Sequence, residues 1–236
     1  FKCQIYDAVE DDLDHDDFAK GLENYDLDIV GVSCYTHSLP DVQMAINSVK
    51  KRNPNAIVIL GGPHPIMFPE YSIDLPNVDI ICTGDGDDVF IDLITALDKG
   101  DSLEKVNGIW FKDSSGQVVK NAPRKESRDL TWQTWPDRRR TRYQDYWVPG
   151  SQQPLVTTAI TSRGCPHSCP FCFTYTKSYR MRDIDNILDE IEDCISIGIT
   201  EIFFVDDLFT PNSQWAMKFC DTIERRGLQF NWGYKT

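Results

Sequence analysis

Short apolar strands alternate with amphipathic helices along most of this chain, and this alternation most constrains its fold. Residues 40–52 place Val42, Ile46 and Val49 on one helical face. The predicted elements of the first half are, in chain order, strand 2–6, helix 14–24, strand 28–33, helix 40–52, strand 56–60, strand 78–82 and helix 87–98. Near-continuous apolar strands separated by helices predict an α/β fold with a doubly wound parallel sheet covered on both faces.

Small and polar residues follow the strands of this predicted sheet. Ser33 ends one strand, Gly61 and Gly62 end the next, and residues 83–87 follow the third. Because ligands of such sheets bind at the carboxyl ends of the strands, we expect these residues to share one binding edge.

The second half of the chain restarts the strand and helix rhythm after a different middle segment. Residues 109–111 and 117–119 resemble a hairpin, and a polar linker follows. We interpret the basic run at residues 138–142 as a solvated face of that linker. The later elements are strand 155–161, helix 183–197, strand 201–205, helix 211–226 and strand 228–233. We therefore predict three regions: 1–105, a hairpin and linker at 106–150, and 151–236.

Composition excludes several classes of function. The net charge of −13 disfavours nucleic acid as a partner, because phosphate binding needs positive charge. A membrane span needs about 18 apolar residues in a row, and runs such as 56–60 are strand-sized. The eight cysteines are not spread like a secreted disulfide framework, so we expect reduced thiols in the cytoplasm. Since the chain starts with Phe1, we expect an excised or processed segment.

One loop holds Cys165, Cys169 and Cys172 directly after the strand at 155–161. Thiolates suit iron–sulfur clusters and zinc. Three thiolates on a four-iron cube leave one iron open to a reacting substrate, whereas a structural zinc site needs four ligands. His167 lies between the first two cysteines, an awkward position for a fourth zinc ligand. The pattern favours a [4Fe–4S] cluster, and a zinc knuckle is the alternative.

This CxxxCxxC loop after a first strand resembles the radical S-adenosylmethionine superfamily. The resemblance implies that S-adenosylmethionine binds the open iron and is cleaved to a 5′-deoxyadenosyl radical. It also implies that Phe171, just before the third cysteine, lies near the adenine, although plain packing is the alternative. The second half would then be the first part of a partial β/α barrel.

Two carboxylates, Asp206 and Asp207, end the next strand of the second half. By the same resemblance they bind the amino group of S-adenosylmethionine, and a carboxylate can accept hydrogen bonds from an ammonium. The alternative is that one of them caps the helix that begins near Pro211. Three cations follow the cysteines: Lys177, Arg180 and Arg182. Contact with the carboxylate of S-adenosylmethionine is one interpretation of each, and solvation at the surface is the favoured one.

The first half resembles the cobalamin-binding domain that precedes the radical core in one large subclass. Ser33 starts a Ser-x-Leu-type turn with tyrosine in place of leucine. Gly61 and Gly62 match the glycine pair, and Gly84 and Gly86 match an acidic glycine turn. The DxHxxG loop of that domain is missing, so the resemblance implies that its first strand is absent and assigns no lower axial histidine. A position of His64 near the corrin is one hypothesis, although a lone histidine is more often a loop or helix-cap residue.

The leading hypothesis is a cobalamin-dependent radical enzyme that transfers a methyl group to an unactivated carbon. Alternatives are oxidative cyclisation or ring rearrangement, as in the anaerobic magnesium-protoporphyrin ester cyclase, a non-catalytic cobalamin and redox sensor, and a zinc-bound structural protein. We expect a small-molecule substrate and an electron donor such as flavodoxin or ferredoxin. With at most three strands of an array that needs about six, this polypeptide alone is expected to be inactive.

Overall fold

A computed structural model describes residues 2–8, 11–172 and 176–234 of the chain. The chain divides into two compact units, residues 1–126 and 127–236, which are described separately below. In the described part of the chain, no helix is both long and apolar enough to span a membrane.

The first unit contains a five-stranded sheet with helices on both faces. Its strands follow the order β1–β2–β3–β4–β5, in which β1, β2 and β3 are parallel and the last two pairings are antiparallel. The elements are, in chain order, α1 (His15–Gly21), β1 (Ile29–Ser33), α2 (Leu39–Arg52), β2 (Ile57–Gly61), α3 (Pro63–Met67), α4 (Pro69–Asp74), β3 (Ile80–Cys82), α5 (Gly86–Lys99), β4 (Ile109–Lys112) and β5 (Val118–Lys120). The predicted α/β class is therefore confirmed.

Alternating side chains of the central strand β2 pack into two separate cores. Val58 and Leu60 join Ile46 and Val49 of α2 on one face. Ile59 packs with residues of α5, such as Leu93, on the other. A strand that is apolar on both sides needs cover on both sides, which explains the near-continuous apolar run at 56–60.

The predicted strand at residues 2–6 is wrong. These residues form no ladder; instead the Tyr6 ring stacks on Phe18 of α1 at 5.0 Å and its hydroxyl donates to the Phe18 carbonyl at 3.2 Å. A strand needs a partner, and among the described residues β1 pairs only with β2.

The hairpin of the middle segment extends the first sheet. Residues 80–82 of β3 pair with 109–111 of β4, so the hairpin covers one edge of the parallel strands. The predicted hairpin is confirmed by the antiparallel pairing of β4 and β5, but its place in the sheet depends on long-range pairing with β3.

The second unit contains three parallel strands in the order β10–β9–β6, and two helices pack on them. Among the described residues these strands form an open array rather than a closed barrel. The elements are β6 (Val156–Ala159), β7 (Ser162–Arg163), β8 (Arg180–Met181), α6 (Ile184–Ser196), β9 (Glu201–Phe204), α7 (Ser213–Arg226) and β10 (Asn231–Tyr234). The three predicted strands and two predicted helices of this unit are present among the described residues, and the short strands β7 and β8 are additional.

Candidate cofactor sites

A short two-stranded neck closes the cysteine loop of the second unit. Ser162 and Arg163 of β7 pair with Arg180 and Met181 of β8, and the loop runs from 164 to 179 between them. Gly164 has a φ of +79°, and a Cβ there would collide with the backbone of Ser178. Glycine is required at this point because the two sides of the loop approach closely.

The three cysteines occupy different environments in this loop. Cys165 is buried at the neck, where its N–H donates to the Thr176 carbonyl at 3.1 Å. Cys169 and Cys172 are exposed and joined by a turn, in which the Cys172 N–H donates to the Cys169 carbonyl at 3.1 Å. Residues 173–175, which follow the third cysteine, lie outside the described residues.

The donor set fits an iron–sulfur cluster better than a single zinc ion. Nowhere in the described ranges do three or more His, Cys, Asp or Glu side chains form a group that could hold one metal ion. A closed zinc site would gather four ligands around one point. Three cysteine ligands on one loop, Cys165 buried and Cys169 and Cys172 exposed, are a donor set that suits an iron–sulfur cluster with one iron left open. His167, the fourth ligand of the zinc alternative, is exposed on the same loop.

Phe171 is 89% exposed on the outside of the loop. Core packing therefore does not explain this aromatic residue, and its predicted position near an adenine stays a prediction. Among the three cations that follow the cysteines, the Lys177 ammonium donates to the His167 carbonyl within the loop. Arg180 and Arg182 are buried, so the interpretation of these two arginines as solvated is wrong.

Asp206 binds the residues that lead into the cysteine loop. Its Oδ1 accepts from the Thr161 N–H at 2.9 Å and the Thr161 hydroxyl at 2.8 Å, and also from the N–H and hydroxyl of Ser162. The carboxylate is only 7% exposed, and this burial raises the pKa of Asp206. Its Oδ2 is buried with no hydrogen-bond partner among the described residues.

The alternative that Asp206 or Asp207 caps the following helix is wrong. Asn212 is the N-cap of α7, and its side chain accepts from the Trp215 N–H at 2.8 Å. Asp207 is exposed. The two neighbouring carboxylates therefore differ: one anchors the loop, and the other faces solvent.

A buried ion triad that the sequence analysis missed lies beside the carboxyl end of β6. The Glu190 carboxylate pairs with Arg138 at 2.7 Å and with Arg182. Both guanidiniums also donate to β6 or to the residue after it: Arg138 to the Thr158 carbonyl at 2.7 Å, and Arg182 to the Ile160 carbonyl at 2.8 Å. The triad thus ties the linker, the loop exit and α6 to one strand.

The interpretation of the arginine run as a solvated face is wrong for Arg138, which is 6% exposed. A signal was present in α6, where Glu190 falls three residues after Ile187 and four before Cys194 on the buried side of the helix. A carboxylate among buried apolar residues needs a cationic partner.

In the first unit, two of the predicted cofactor turns pack tightly together. Gly62 has a φ of +94°, and a Cβ there would lie 2.9 Å from the backbone N and O of Cys34 and from the Ser33 hydroxyl. The Cys34 N–H donates to the Gly61 carbonyl at 2.8 Å, and the His64 N–H donates to the Cys34 carbonyl at 3.0 Å. This edge therefore requires glycine at 62.

The same edge is open where a ligand would bind. No heavy atom lies within 4 Å of a Cβ built on Gly61 or on Gly86, and Ser33 is exposed. Gly86 begins α5 after the loop that holds Gly84. These residues lie at the carboxyl ends of β1, β2 and β3, the edge at which sheets of this kind bind their ligands.

Comparisons with known families agree with both halves of this description. The B12 binding domain matches residues 1–94, and the Radical SAM superfamily matches residues 159–232. The second match begins at the end of β6 and includes the cysteine loop.

Curated relatives match almost the whole chain. It is 31% identical over 234 residues to the uncharacterized methyltransferase PH0819 of Pyrococcus horikoshii, a match that covers 97% of this chain and 50% of that protein. It is 29% identical to the anaerobic magnesium-protoporphyrin IX monomethyl ester cyclase of Rubrivivax gelatinosus, with 98% of this chain and 42% of that protein covered. The chain thus spans half or less of the length of these two relatives.

Solved structures share the fold at low sequence identity. The radical S-adenosylmethionine methyltransferase TsrM from Kitasatospora setae, solved with cobalamin and a [4Fe-4S] cluster, has a TM-score of 0.76 at 16% identity and covers 96% of this chain and 47% of that one. The cobalamin-dependent S-adenosylmethionine radical enzyme OxsB has a TM-score of 0.69 at 23% identity, covering 93% and 32%. Together with the two family matches, which cover residues 1–94 and 159–232, this chain carries a B12 binding domain followed by a Radical SAM superfamily domain, the pairing that its sequence motifs predicted.

Proposed function

We propose that the protein containing this chain is a cobalamin-dependent radical S-adenosylmethionine methyltransferase, which methylates an unactivated carbon of a small molecule. The observation that carries the proposal is one cysteine loop, closed at its neck at the end of β6, in a chain that also has a B12 binding domain. Several relatives of this chain are named as methyltransferases, including a hopanoid C-3 methylase from Methylococcus capsulatus.

Cys165, Cys169 and Cys172 would hold the cluster, and their loop leaves the cluster face accessible because residues 166–172 are exposed. Bound cluster, S-adenosylmethionine and cobalamin would supply hydrogen abstraction and a methyl group. Phe171 lies on the exposed side of this loop, where it can stack on an adenine.

Asp206 offers a second contact to S-adenosylmethionine. Its Oδ1 is occupied by four donors, whereas Oδ2 lacks a partner among the described residues. An ammonium is the donor that a buried carboxylate oxygen needs, so we assign Oδ2 to the amino group of the methionyl part. Asp207, which is exposed, would act at the rim of the same site.

Ser33, Gly61, Gly62, Gly84 and Gly86 would hold cobalamin at the open edge of the first unit. Gly61 and Gly86 leave space for it, and Gly62 lets two turns close behind it. The electron for cleavage would come from a donor such as flavodoxin or ferredoxin.

The test uses the full-length protein, produced and reconstituted without oxygen. We expect the absorbance of an iron–sulfur cluster, iron and sulfide near four per chain, reductive formation of 5′-deoxyadenosine, and retention of cobalamin. The Cys165→Ala, Cys169→Ala, Cys172→Ala triple variant is the control; if it still cleaves S-adenosylmethionine, the proposal is wrong.

Product analysis separates methyl transfer from cyclisation. With labelled methyl-S-adenosylmethionine, a methyltransferase places the label in its product, whereas a cyclase does not. Cobalamin retention is scored by itself, because its absence would refute only the assignment of the first unit.

A further inference from the structure

His64 is a buried titratable side chain at the open edge of the first unit. It is 3% exposed, and its Nδ1 lies 3.0 Å from the Thr36 hydroxyl. Thr36 belongs to the short turn that follows β1, so this bond joins the two predicted cofactor turns through their side chains. Burial lowers the pKa of His64, and the imidazole is neutral near pH 7.

The other ring nitrogen of His64, Nε2, is buried and makes no hydrogen bond to the described residues. Its neighbours are aromatic: the ring centroid of Phe68 lies 5.3 Å away and that of Tyr71 5.8 Å away. A buried polar nitrogen without a partner destabilises a protein, and an apolar residue would fit these surroundings better.

The backbone fixes this imidazole beside the glycine pair. The His64 N–H bonds the Cys34 carbonyl, and Gly62 packs against the same residue. Phe68 and Tyr71, which lie against the imidazole, are themselves exposed. Both aromatic rings beside the imidazole therefore reach the surface of the first unit.

We propose that His64 Nε2 donates a hydrogen bond to an oxygen acceptor of cobalamin bound at this edge. In the tautomer that this proposal requires, the ring proton is on Nε2 and Nδ1 accepts a hydrogen bond from the Thr36 hydroxyl. Cobalamin offers such oxygens on the amide side chains of its corrin and on its nucleotide tail. This inference rests on the proposed function of the first unit and adds a specific binding residue to it.

Two substitutions separate the two ring nitrogens. In His64→Asn the side-chain amide reaches the position of Nδ1, and in His64→Gln it reaches the position of Nε2. Thr36→Val breaks only the bond to Nδ1. The dissociation constant of cobalamin is measured by absorbance titration of the full-length apo protein and each variant, and thermal unfolding of the apo proteins checks that each one folds.

We expect His64→Asn to weaken cobalamin binding by about 2- to 13-fold, the range of one lost hydrogen bond, whereas His64→Gln and Thr36→Val stay near wild type. If both His64 variants bind cobalamin more weakly while Thr36→Val binds it as wild type does, the hydrogen bond is still assigned to His64 Nε2. Unchanged binding by His64→Asn overturns this assignment. So does a loss in Thr36→Val as large as that in His64→Asn, because the role would then be structural.

A second ligand identifies the acceptor. Cobinamide lacks the nucleotide tail of cobalamin. If His64 contacts the tail, His64→Asn should weaken the binding of cobalamin but not that of cobinamide. If His64 contacts the corrin amides, the same variant should weaken the binding of both. If electron paramagnetic resonance of the Co(II) form shows imidazole nitrogen on cobalt that His64→Asn removes, the hydrogen-bond assignment is wrong. If the wild-type protein binds no cobalamin, the proposed function of the first unit fails instead.

Discussion

The Asp206 carboxylate accepts hydrogen bonds from both the backbone N–H and the hydroxyl of Thr161, at 2.9 and 2.8 Å. Ser162 makes the same pair of bonds to the same oxygen. Cys165 follows three residues later, so one carboxylate at the end of β9 fixes the start of the loop that carries all three cysteines. Loss of this anchor should loosen the cluster site.

Asp206→Ala should destabilise the second unit by about 2–4 kcal/mol, because two buried N–H groups lose their acceptor. Asp206→Asn keeps an acceptor oxygen and should lose less. Iron retained after anaerobic reconstitution should fall in the same order. Asp207→Ala is the matched control, since an exposed carboxylate contributes within about 0.5 kcal/mol; equal iron loss in that variant would contradict an anchoring role for Asp206.

Removal of Glu190 should be among the most damaging changes in the second unit. Glu190→Gln leaves the buried guanidiniums of Arg138 and Arg182 without their counter-charge, and breaking a buried pair in this way costs about 3–5 kcal/mol. Denaturant unfolding checks the value.

Glu192→Gln offers the comparison on the same helix. Glu192 is exposed and pairs with Arg226 at 3.2 Å, and such surface pairs contribute about 0–1 kcal/mol. If Glu190→Gln and Glu192→Gln lowered the free energy of unfolding equally, the buried triad would not stabilise the second unit more than a surface ion pair does.

The burial of Arg138 shows where sequence reasoning reached its limit. Three consecutive arginines in a Pro-containing linker are typical of a solvated segment, and nothing local distinguishes the first from the others. Its partner Glu190 lies 52 positions away, so only the tertiary fold buries it. The helices and strands with a periodic pattern were predicted well, because burial of one face of an element requires apolar residues at a regular spacing in the local sequence.

Short helices escaped prediction for a related reason. α3 and α4 follow the glycine pair and begin at Pro63 and Pro69, and such glycine- and proline-rich sequence is typical of a loop. Proline fits the first turn of a helix, where its missing N–H would be unpaired anyway. His64 falls in α3, so its burial could not be predicted either.

The glycine pair provides a test in which adjacent residues should respond differently. Gly62→Ala puts a Cβ 2.9 Å from the backbone of Cys34 at a φ of +94°, so it should destabilise the first unit by more than the roughly 1–2 kcal/mol of left-handed backbone alone. Gly61→Ala meets no heavy atom within 4 Å and should leave stability near wild type.

Cobalamin titration of the same pair tests the open edge. Gly61→Ala should fold normally yet bind cobalamin more weakly, because its methyl group occupies the space assigned to the cofactor. Normal affinity in Gly61→Ala would place the cofactor elsewhere on the unit.

The pH dependence of stability should report the buried imidazole of His64. Its folded pKa is lower than the ordinary value of 6.5, so below pH 6.5 the unfolded chain binds a proton that the folded chain does not. The free energy of unfolding should therefore fall as the pH falls from 6.5 toward the folded pKa, with a slope from this group of at most about 1.4 kcal/mol per pH unit. His64→Gln should remove that part of the slope, which denaturant unfolding of the apo protein between pH 7.5 and about 5 measures. His37→Gln, at an exposed histidine, should keep the wild-type slope. Equal slopes in wild type and His64→Gln would mean that the imidazole is not buried as a neutral group in solution.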